Sequence, residues 1–436
     1  MINKKIKFSI VCYCPCGYFL EESYIPLINN LSEEFNIYFL ISDQYLNKRH
    51  IFKIKDLKKN GLIKEYFILT SEKISLKFHL FLKKLCKYLS EQNVISYLLM
   101  EDFTLVARYL IRSSRPKKSF VIVMSLSSNW PILYKFYKLK DDKIISSNVT
   151  HFRREKYKKL VEAYKNKILI RFISINLGNR FFNYLLKVKK KLSHFLNYFL
   201  LPVFTLNKPF LRGYLERSRI SGDHCDICAV YDEDEYKANS LFIKKPSYLI
   251  NHPAEYLNID NKGVKNKILI IFSGCLAKEM SQENINIWSK RIIEFAFCMN
   301  VTSCDLRIHP RTSKYLQWPF DIKAELELKG INVSITKDLT ISLVDHLSAY
   351  KGILGGPSGA LFIASLITKD ICILGLSNCQ DNDLGDEKWI LGRSNNIHWL
   401  TSSDNISSLV KLKKTKKNSI NRISLKKLIN YLNRKI

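Results

Sequence analysis

The chain has 436 residues, which at about 150 residues per domain predicts two to three domains. Its residues are 47% hydrophobic, with only 15 glycines and 11 prolines, so the collagen-like, coiled-coil and disordered classes are excluded. The 70 lysines and arginines outnumber the 39 acidic residues and give a net charge of +31. Such an excess is typical of proteins with a polyanionic partner, either nucleic acid or an anionic membrane.

The first part of the chain alternates short apolar runs with runs of helical periodicity. The apolar runs predict strands over Ile6–Tyr13, Ile37–Ser42, Glu65–Thr70, Ile95–Glu101, Ser119–Leu126, Asp226–Tyr231 and Ser247–Asn251. The periodic runs predict helices over Glu21–Phe35, Ser75–Gln92 and Thr104–Ser113. This alternation is typical of a parallel sheet covered by helices on both faces. We therefore expect a Rossmann-like domain over residues 1–251.

A basic segment interrupts that domain at about residues 135–220, where 21 basic side chains stand against 5 acidic ones. Within residues 153–219, lysine and arginine are interleaved with Phe, Tyr and Leu, a pattern typical of membrane-interface helices. The alternative is a helical insertion that packs on its own domain and exposes a basic face. Nucleic-acid binding is disfavoured, because no nucleic-acid-binding motif is recognisable.

The second part of the chain repeats the alternation after a polar linker over residues 252–267. We expect a second Rossmann-like domain over residues 268–400, with strands and helices from Ile268–Ser273 to Asp370–Leu374. A basic helical tail follows over residues 401–436, whose last 26 residues hold 10 basic and no acidic side chains. Two doubly wound sheets facing each other predict a nucleotide-binding cleft at the carboxyl ends of their strands.

The eleven cysteines form two clusters in which a zinc site has to be considered. Thiolates of Cys12, Cys14 and Cys16 could join those of Cys225 and Cys228 as zinc ligands. However, Cys12 and Cys14 alternate on one face of the first strand, and Cys225–Cys228 leads into an apolar strand. Buried thiols in a reducing compartment are the preferred interpretation.

The glycine-rich turn after Gly352 carries the first candidate binding residues. A strand ends at Gly355 and Gly356, and a helix begins after Ser358 at Gly359. Glycines let backbone approach a ligand closely, and free amides at a helix start favour a phosphate. The sequence is equally compatible with the alternative, an ordinary strand-to-helix turn in which the serine only caps the helix.

A second candidate group ends an upstream strand of the same half, at His309, Pro310 and Arg311. Pro310 ends the hydrogen-bonding ladder, so His309 and Arg311 are displayed at the carboxyl end of the strand. Imidazole can protonate a leaving phosphate, and guanidinium can bind one in bidentate fashion.

With these motifs, residues 267–376 resemble the donor domain of GT-B glycosyltransferases, and most of all the bacterial sialyltransferase and polysialyltransferase type. The resemblance implies a GT-B fold in which His309 and Pro310 contact the phosphate of a CMP-sugar and Ser358 binds it.

The resemblance also implies an acidic pair with a general base in the first half. Glu101 and Asp102 are the candidates, although Phe103 stands where those enzymes have glycine. Asp102 as a helix cap is the alternative, and Glu21–Glu22 begins the first helix near the expected acceptor entrance.

The resulting expectation is a glycosyltransferase that moves a sugar, such as sialic acid, from a nucleotide donor to a surface polysaccharide or lipid-linked glycan. A nucleotide-sugar 2-epimerase, a CDP-glycerol-type polyol-phosphate transferase and a non-catalytic nucleic-acid or lipid-binding protein are the alternatives. We expect no cofactor and no metal, because no Asp-x-Asp motif is convincingly placed. Without a signal-peptide pattern at residues 1–7, we expect a cytoplasmic protein at the inner membrane face, held to anionic lipid through residues 153–219 and 411–436.

Overall fold

The structure is a computed structural model, and it describes most of both predicted domains. The described ranges are 7–70, 76–100, 105–114, 118–125, 225–243, 245–257, 266–272, 280–308, 316–336, 343–347, 350–356, 358–368, 371–376, 397–400, 404–410 and 422–434. The basic insertion and the residues His309, Pro310, Arg311, Glu101 and Asp102 lie outside these ranges.

The first domain is built on a seven-stranded parallel sheet. Its strands are β1 (Ser9–Cys14), β2 (Asn36–Ser42), β3 (Glu65–Leu69), β4 (Val94–Leu99), β5 (Phe120–Ser125), β6 (Ile227–Val230) and β7 (Ser247–Leu249). They lie in the order β3-β2-β1-β4-β5-β6-β7, with β1 in the interior. All six residues of β1 are buried, because helices cover both faces of the sheet.

The helices of the first domain pack two hydrophobic cores, one on each sheet face. They are α1 (Ile25–Leu31), α2 (Lys48–Lys59), α3 (Leu76–Ser90), α4 (Leu105–Ser114) and α5 (Glu233–Phe242). Residues of α3 and α4 pack with Val11 and Tyr13 of β1, whereas residues of α1 and α2 pack with Ile10 and Cys12.

The second domain is built on a six-stranded parallel sheet in the order β10-β9-β8-β11-β12-β13. The strands are β8 (Ile268–Ile271), β9 (Ser303–Arg307), β10 (Asn332–Thr336), β11 (Gly352–Gly355), β12 (Cys372–Leu376) and β13 (His398–Leu400). Its helices are α6 (Gln282–Cys298), α7 (Trp318–Leu328), α8 (Leu343–Leu347), α9 (Gly359–Ile367) and α10 (Ile406–Val410). The α/β class with two doubly wound parallel sheets is therefore confirmed.

The last helix, α11 (Leu425–Asn433), returns to the first domain. Its side chains Leu425, Leu428, Ile429 and Leu432 join the core formed by α1 and α2. Lys426 adds ion pairs with Glu33 and Glu34 at 2.9 Å each. The C-terminal helix therefore crosses back from the second domain and completes the core of the first.

The structure differs from the sequence-based assignment in three helices. Helix α2 was not predicted, and α7 begins at Trp318, five residues before the short helix that the sequence predicts over Lys323–Lys329. The predicted first helix is divided into a π-helical turn over Leu20–Tyr24 and the shorter α1. The two differences in the first domain lie beside its carboxyl strand edge, where functional sites of such sheets are found.

The described part of the basic tail is bound to the protein body. The apolar face of α11 is buried in the first domain, and Arg422 pairs with Glu255 at 3.1 Å. This helix therefore cannot insert its apolar face into a lipid bilayer while it is packed in this way. The segment 153–219 and residues 411–421 lie outside the described residues. No helix in the described ranges is long and apolar enough to span a membrane.

The two cysteine clusters lie on opposite faces of the first sheet. Cys12 and Cys14 are buried in the core with α1 and α2, and Cys225 and Cys228 in the core with α3 and α4. Burial raises the pKa of Cys12 to about 12, which disfavours a thiolate. The two clusters therefore cannot share one metal ion. Among the residues that the structure describes, no group of three or more His, Cys, Asp and Glu side chains could hold a metal.

Candidate functional site

A tight turn after β1 positions the first acidic residues of the site. Gly17 begins this turn, and its amide donates to the Gln44 carbonyl at 2.8 Å. A Cβ at Gly17 would lie 2.4 Å from the Tyr45 carbonyl oxygen, so only glycine fits between the turns that follow β1 and β2. The π-helical turn Leu20–Tyr24 follows, a conformation that is frequent at functional sites.

Glu21, on this π-helical turn, is an ion-pair anchor. Its carboxylate lies 3.2 Å from Arg49 Nε and 3.0 Å from Lys53 Nζ, both on α2. His50 Nε2 lies 3.9 Å away, and the Glu21 side chain is only 6% exposed. Because basic side chains of one helix surround this buried carboxylate, its role is to hold the π-helical turn against α2.

Glu22 is the neighbouring carboxylate, and its surroundings are different. Burial, with a smaller contribution from the charge of Glu21, raises the pKa of Glu22 from 4.5 to about 7. The positive charge of Arg307 partly opposes this increase. Glu22 therefore exchanges its proton near neutral pH, which is the property required of a general acid or base.

Arg307 is the last residue of β9, so its interaction with Glu22 joins the carboxyl strand edges of the two domains. Burial lowers the pKa of Arg307, and the Glu22 carboxylate opposes that effect. Two residues before it, Asp305 is held from two sides. Lys267 Nζ lies 2.5 Å from the Asp305 carboxylate, and the Tyr350 hydroxyl donates to it as well. This network fixes the strand that carries Arg307.

A second charged contact between the domains involves Arg49. Besides Glu21, its guanidinium pairs with Asp345 on α8 of the second domain. Glu21, Arg49 and Asp345 thus form a chain of charges across the cleft. The two carboxyl strand edges therefore face each other, as the sequence predicted for the nucleotide-binding cleft.

The glycine-rich turn lies on the same edge of the second sheet. Gly356 donates its amide to the Ile271 carbonyl at 2.9 Å, and Ser358 Oγ accepts from the Leu361 amide at 3.1 Å. The Ser358 side chain therefore caps α9, which was the alternative interpretation of this motif. Because only β8 separates β9 from β11, the strand ends after Arg307 and Gly355 are about 10 Å apart.

Gly359 is the most accessible part of this turn. It is exposed, and a Cβ built on it would meet nothing within 4 Å. By contrast, a Cβ on Gly355 would lie 3.0 Å from the Ile271 carbonyl, so that glycine is required for strand packing. The first turn of α9 at Gly359 is therefore open to a ligand, whereas Gly355 has a structural role.

The structure brings together some of the predicted site residues and adds others. Gly355, Gly356, Ser358 and Gly359 lie at the cleft edge, whereas His309, Pro310, Arg311, Glu101 and Asp102 lie outside the described residues. Sequence reasoning missed Arg307 and gave Glu22 no chemical role. The only signal in the sequence was the acidic pair Glu21–Glu22 in the first predicted helix after strand β1.

No protein-family model matches the chain, and no curated protein matches it. Solved structures share the general architecture at low identity. UDP-GlcNAc 2-epimerase from Neisseria meningitidis, bound to UDP-GlcNAc, is 12% identical over 92% of this chain and 89% of that chain, with a TM-score of 0.49. A glycosyltransferase from Rickettsia africae is 10% identical, with coverages of 93% and 87% and a TM-score of 0.45. MurG from Acinetobacter baumannii is 10% identical, with coverages of 98% and 94% and a TM-score of 0.40.

Proposed function

We propose that this chain is a nucleotide-sugar-dependent glycosyltransferase with Glu22 as its general base. The observation that carries the proposal is a carboxyl group of pKa about 7 at the carboxyl edge of one sheet, with Arg307 of the other sheet close enough to act on it electrostatically. A base is most effective when its pKa lies near the working pH, because it is then both available and able to accept a proton.

The proposed reaction is a displacement at the anomeric carbon of the donor sugar. Glu22 removes the proton of the acceptor hydroxyl, and the acceptor oxygen forms a bond to the anomeric carbon. The bond from that carbon to the donor phosphate breaks, and the phosphate leaves with the bonding electrons. Arg307 and the open amides at the start of α9 favour the negative charge on the departing phosphate. His309, Pro310 and Arg311 remain predicted contacts of the same phosphate, and Glu101 or Asp102 remains a predicted second acid.

The donor site is tested by placing a side chain in the open space at Gly359. Gly359→Val should abolish the thermal shift that the wild-type chain gives with its preferred ligand among CMP, UDP, GDP and CDP-glycerol. The melting temperature without nucleotide should stay near that of the wild type, because nothing lies within 4 Å of the new Cβ. Ala324→Val, at an exposed position of α7, is the matched control. A full nucleotide shift in Gly359→Val would contradict this donor site.

The base is tested by Glu22→Gln, which keeps the size of the side chain and removes its titration. In the wild type, the rate should rise with pH through about 7, as Glu22 loses its proton. In Glu22→Gln, the rate should fall about 100-fold or more and lose this pH dependence. Glu33→Gln, at an exposed carboxylate on the far side of the domain, should behave as wild type. An unchanged pH profile in Glu22→Gln would remove Glu22 from the chemistry.

A nucleotide-sugar 2-epimerase is the second candidate, and the same property of Glu22 favours it. A carboxyl group with a pKa near 7 can both remove and return a proton at a sugar carbon. In D₂O, without any acceptor, an epimerase would place deuterium at C2 of the nucleotide sugar. A transferase would leave C2 unlabelled and would require an acceptor for turnover.

The proposal also names the acceptor and the cellular location of the reaction. We place the reaction at the inner face of a bacterial membrane, on a surface polysaccharide or lipid-linked glycan. A metal-independent displacement remains our prediction, and full activity in excess EDTA would support it. Transfer from CMP-sialic acid is the donor-specific form of the proposal, and the nucleotide screen tests it directly.

A further inference from the structure

Helix α3 exposes apolar and basic side chains together on one face. Leu80 is 51% exposed, Phe81 41% and Tyr88 39%. The lysines of the same face, Lys83, Lys84 and Lys87, are exposed as well. We call these six residues the α3 surface.

The opposite face of α3 holds the helix firmly in the first domain. Phe78, Leu82, Leu85 and Leu89 are buried in the core beneath it. Tyr88 packs edge-on against Phe67, with ring centroids 5.9 Å apart, so one side of its ring is held by the sheet. The α3 surface is therefore the outer face of a fixed helix, and its exposed Leu and Phe are not needed for the core.

The charge on helices α3 and α4 themselves has one sign, and the exposed carboxylate of Glu91 lies one residue beyond the end of α3. Residues 76–90 and 105–114, which form α3 and its neighbour α4, contain no aspartate or glutamate. Exposed Arg112 and Lys118 extend the positive region beyond α3. Such a surface attracts an anionic partner, and the exposed Leu80 and Phe81 require that partner to offer an apolar layer as well.

From these observations we infer that the α3 surface docks the protein on an anionic lipid bilayer. The lysines lie over the lipid head groups, and Leu80 and Phe81 enter the boundary between head groups and acyl chains. A nucleic acid would match the lysines but would leave the apolar side chains without a matching surface. This surface differs from residues 153–219 and 411–436, which the sequence indicated as membrane contacts.

The position of α3 gives the docking a defined orientation. The helix follows β3, so it begins at the carboxyl edge of the first sheet, the edge that also carries Glu22. Leu80 lies about 6 Å along the helix from its start, at a rise of about 1.5 Å per residue. A docked protein therefore keeps the start of α3, and with it the Glu22 edge of the first sheet, close to the lipid; the presentation of a lipid-linked acceptor there rests on the proposed function.

The test is vesicle co-sedimentation of the full chain, which does not depend on its catalytic activity. Vesicles of phosphatidylcholine with 30 mol% phosphatidylglycerol should bind the wild type, and pure phosphatidylcholine should bind it much more weakly. Replacing Lys83, Lys84 and Lys87 together with Gln should weaken binding by about 100-fold, at about fivefold for each lysine. Replacing Leu80 and Phe81 with Gln should weaken it by at least about tenfold.

The matched control is Leu328→Gln, which removes a leucine that is 85% exposed on α7, next to Glu327. This variant should bind vesicles as the wild type does. Amide hydrogen exchange should show added protection of residues 76–90 on vesicles, and each variant should keep the wild-type melting temperature. Unchanged vesicle binding in both α3 variants would overturn the inference. So would loss of binding to a 20-nucleotide RNA while vesicle binding stays intact.

Discussion

The raised pKa of Glu22 makes a prediction about stability that is independent of catalysis. In the unfolded chain this carboxyl titrates near 4.5, whereas in the folded protein its pKa is about 7. The folded state therefore binds the proton more tightly, so ionisation of Glu22 destabilises the fold as the pH rises from 4.5 to 7. Glu22→Gln removes that cost and should make the protein more stable.

The free energy of unfolding that Glu22→Gln adds depends on pH. From the two pKa values, linkage gives about 1 kcal/mol at pH 5, about 2 kcal/mol at pH 6 and about 3 kcal/mol at pH 8. Well below pH 4.5 the gain vanishes, because Glu22 is then protonated in both the folded and the unfolded state.

The assay is urea unfolding of the wild type and Glu22→Gln from pH 5 to pH 8.5, with Glu33→Gln as the exposed control. The control should show no gain that increases with pH, because the Glu33 side chain is 74% exposed and its pair with Lys426 is worth little. A difference between wild type and Glu22→Gln that stays constant over this range, or has the opposite sign, would refute the argument. In that case Glu22 would be ionised in the folded protein at every pH studied, and its role as a base poised near neutral pH would be lost.

Other predictions concern packing and the contact between the domains. Gly17→Ala should cost about 1–3 kcal/mol in urea unfolding, because its Cβ would lie 2.4 Å from the Tyr45 carbonyl oxygen, whereas Gly359→Ala should stay within about 0.5 kcal/mol of wild type. Equal losses of stability in Gly17→Ala and Gly359→Ala would contradict the predicted clash at Gly17. Leu428→Ala should cost about 2–5 kcal/mol and should raise hydrogen exchange in β1 more than in β8, since this fully buried side chain belongs to the core of the first domain. A larger increase of hydrogen exchange in β8 than in β1 would be inconsistent with the packing of α11 on the first domain. Asp345→Ala should cost less than about 1 kcal/mol, because that side chain is 53% exposed, yet it should increase the radius of gyration in small-angle scattering. An unchanged radius would show that the Arg49–Asp345 pair does not hold the domains together.

The strands could be predicted because their signal is local. Strands buried on both faces appear as continuous apolar runs. The half-exposed strand β10 also has the bounds that the sequence predicts, Asn332–Thr336. Helix α2 is different, because most of its residues are polar and its buried side chains are His50, Ile54 and Leu57 alone. Its start is set by Asn47, whose side chain accepts from the His50 amide at 2.9 Å, and such a cap is easily overlooked in a basic sequence.

The site could be predicted only in outline, because its chemistry arises between domains. Glu21 and Glu22 are identical and adjacent in the sequence. The structure gives one of them basic partners from α2 and brings the other within electrostatic range of Arg307, which is far away along the chain. No local pattern distinguishes these two surroundings. The turn at Ser358 was recognisable because its glycines and cap are consecutive residues.

The docking of α11 on the first domain has a consequence for the order of folding during synthesis. The core formed by α1, α2 and β1 is completed by residues 425–432, which the ribosome makes after the whole second domain. At about 5–20 residues per second, the roughly 175 residues between β7 and α11 take about 10–35 s to appear. During that interval the nascent first domain exposes the apolar groove that α11 later fills. The second domain can therefore fold before α11 completes the core of the first domain.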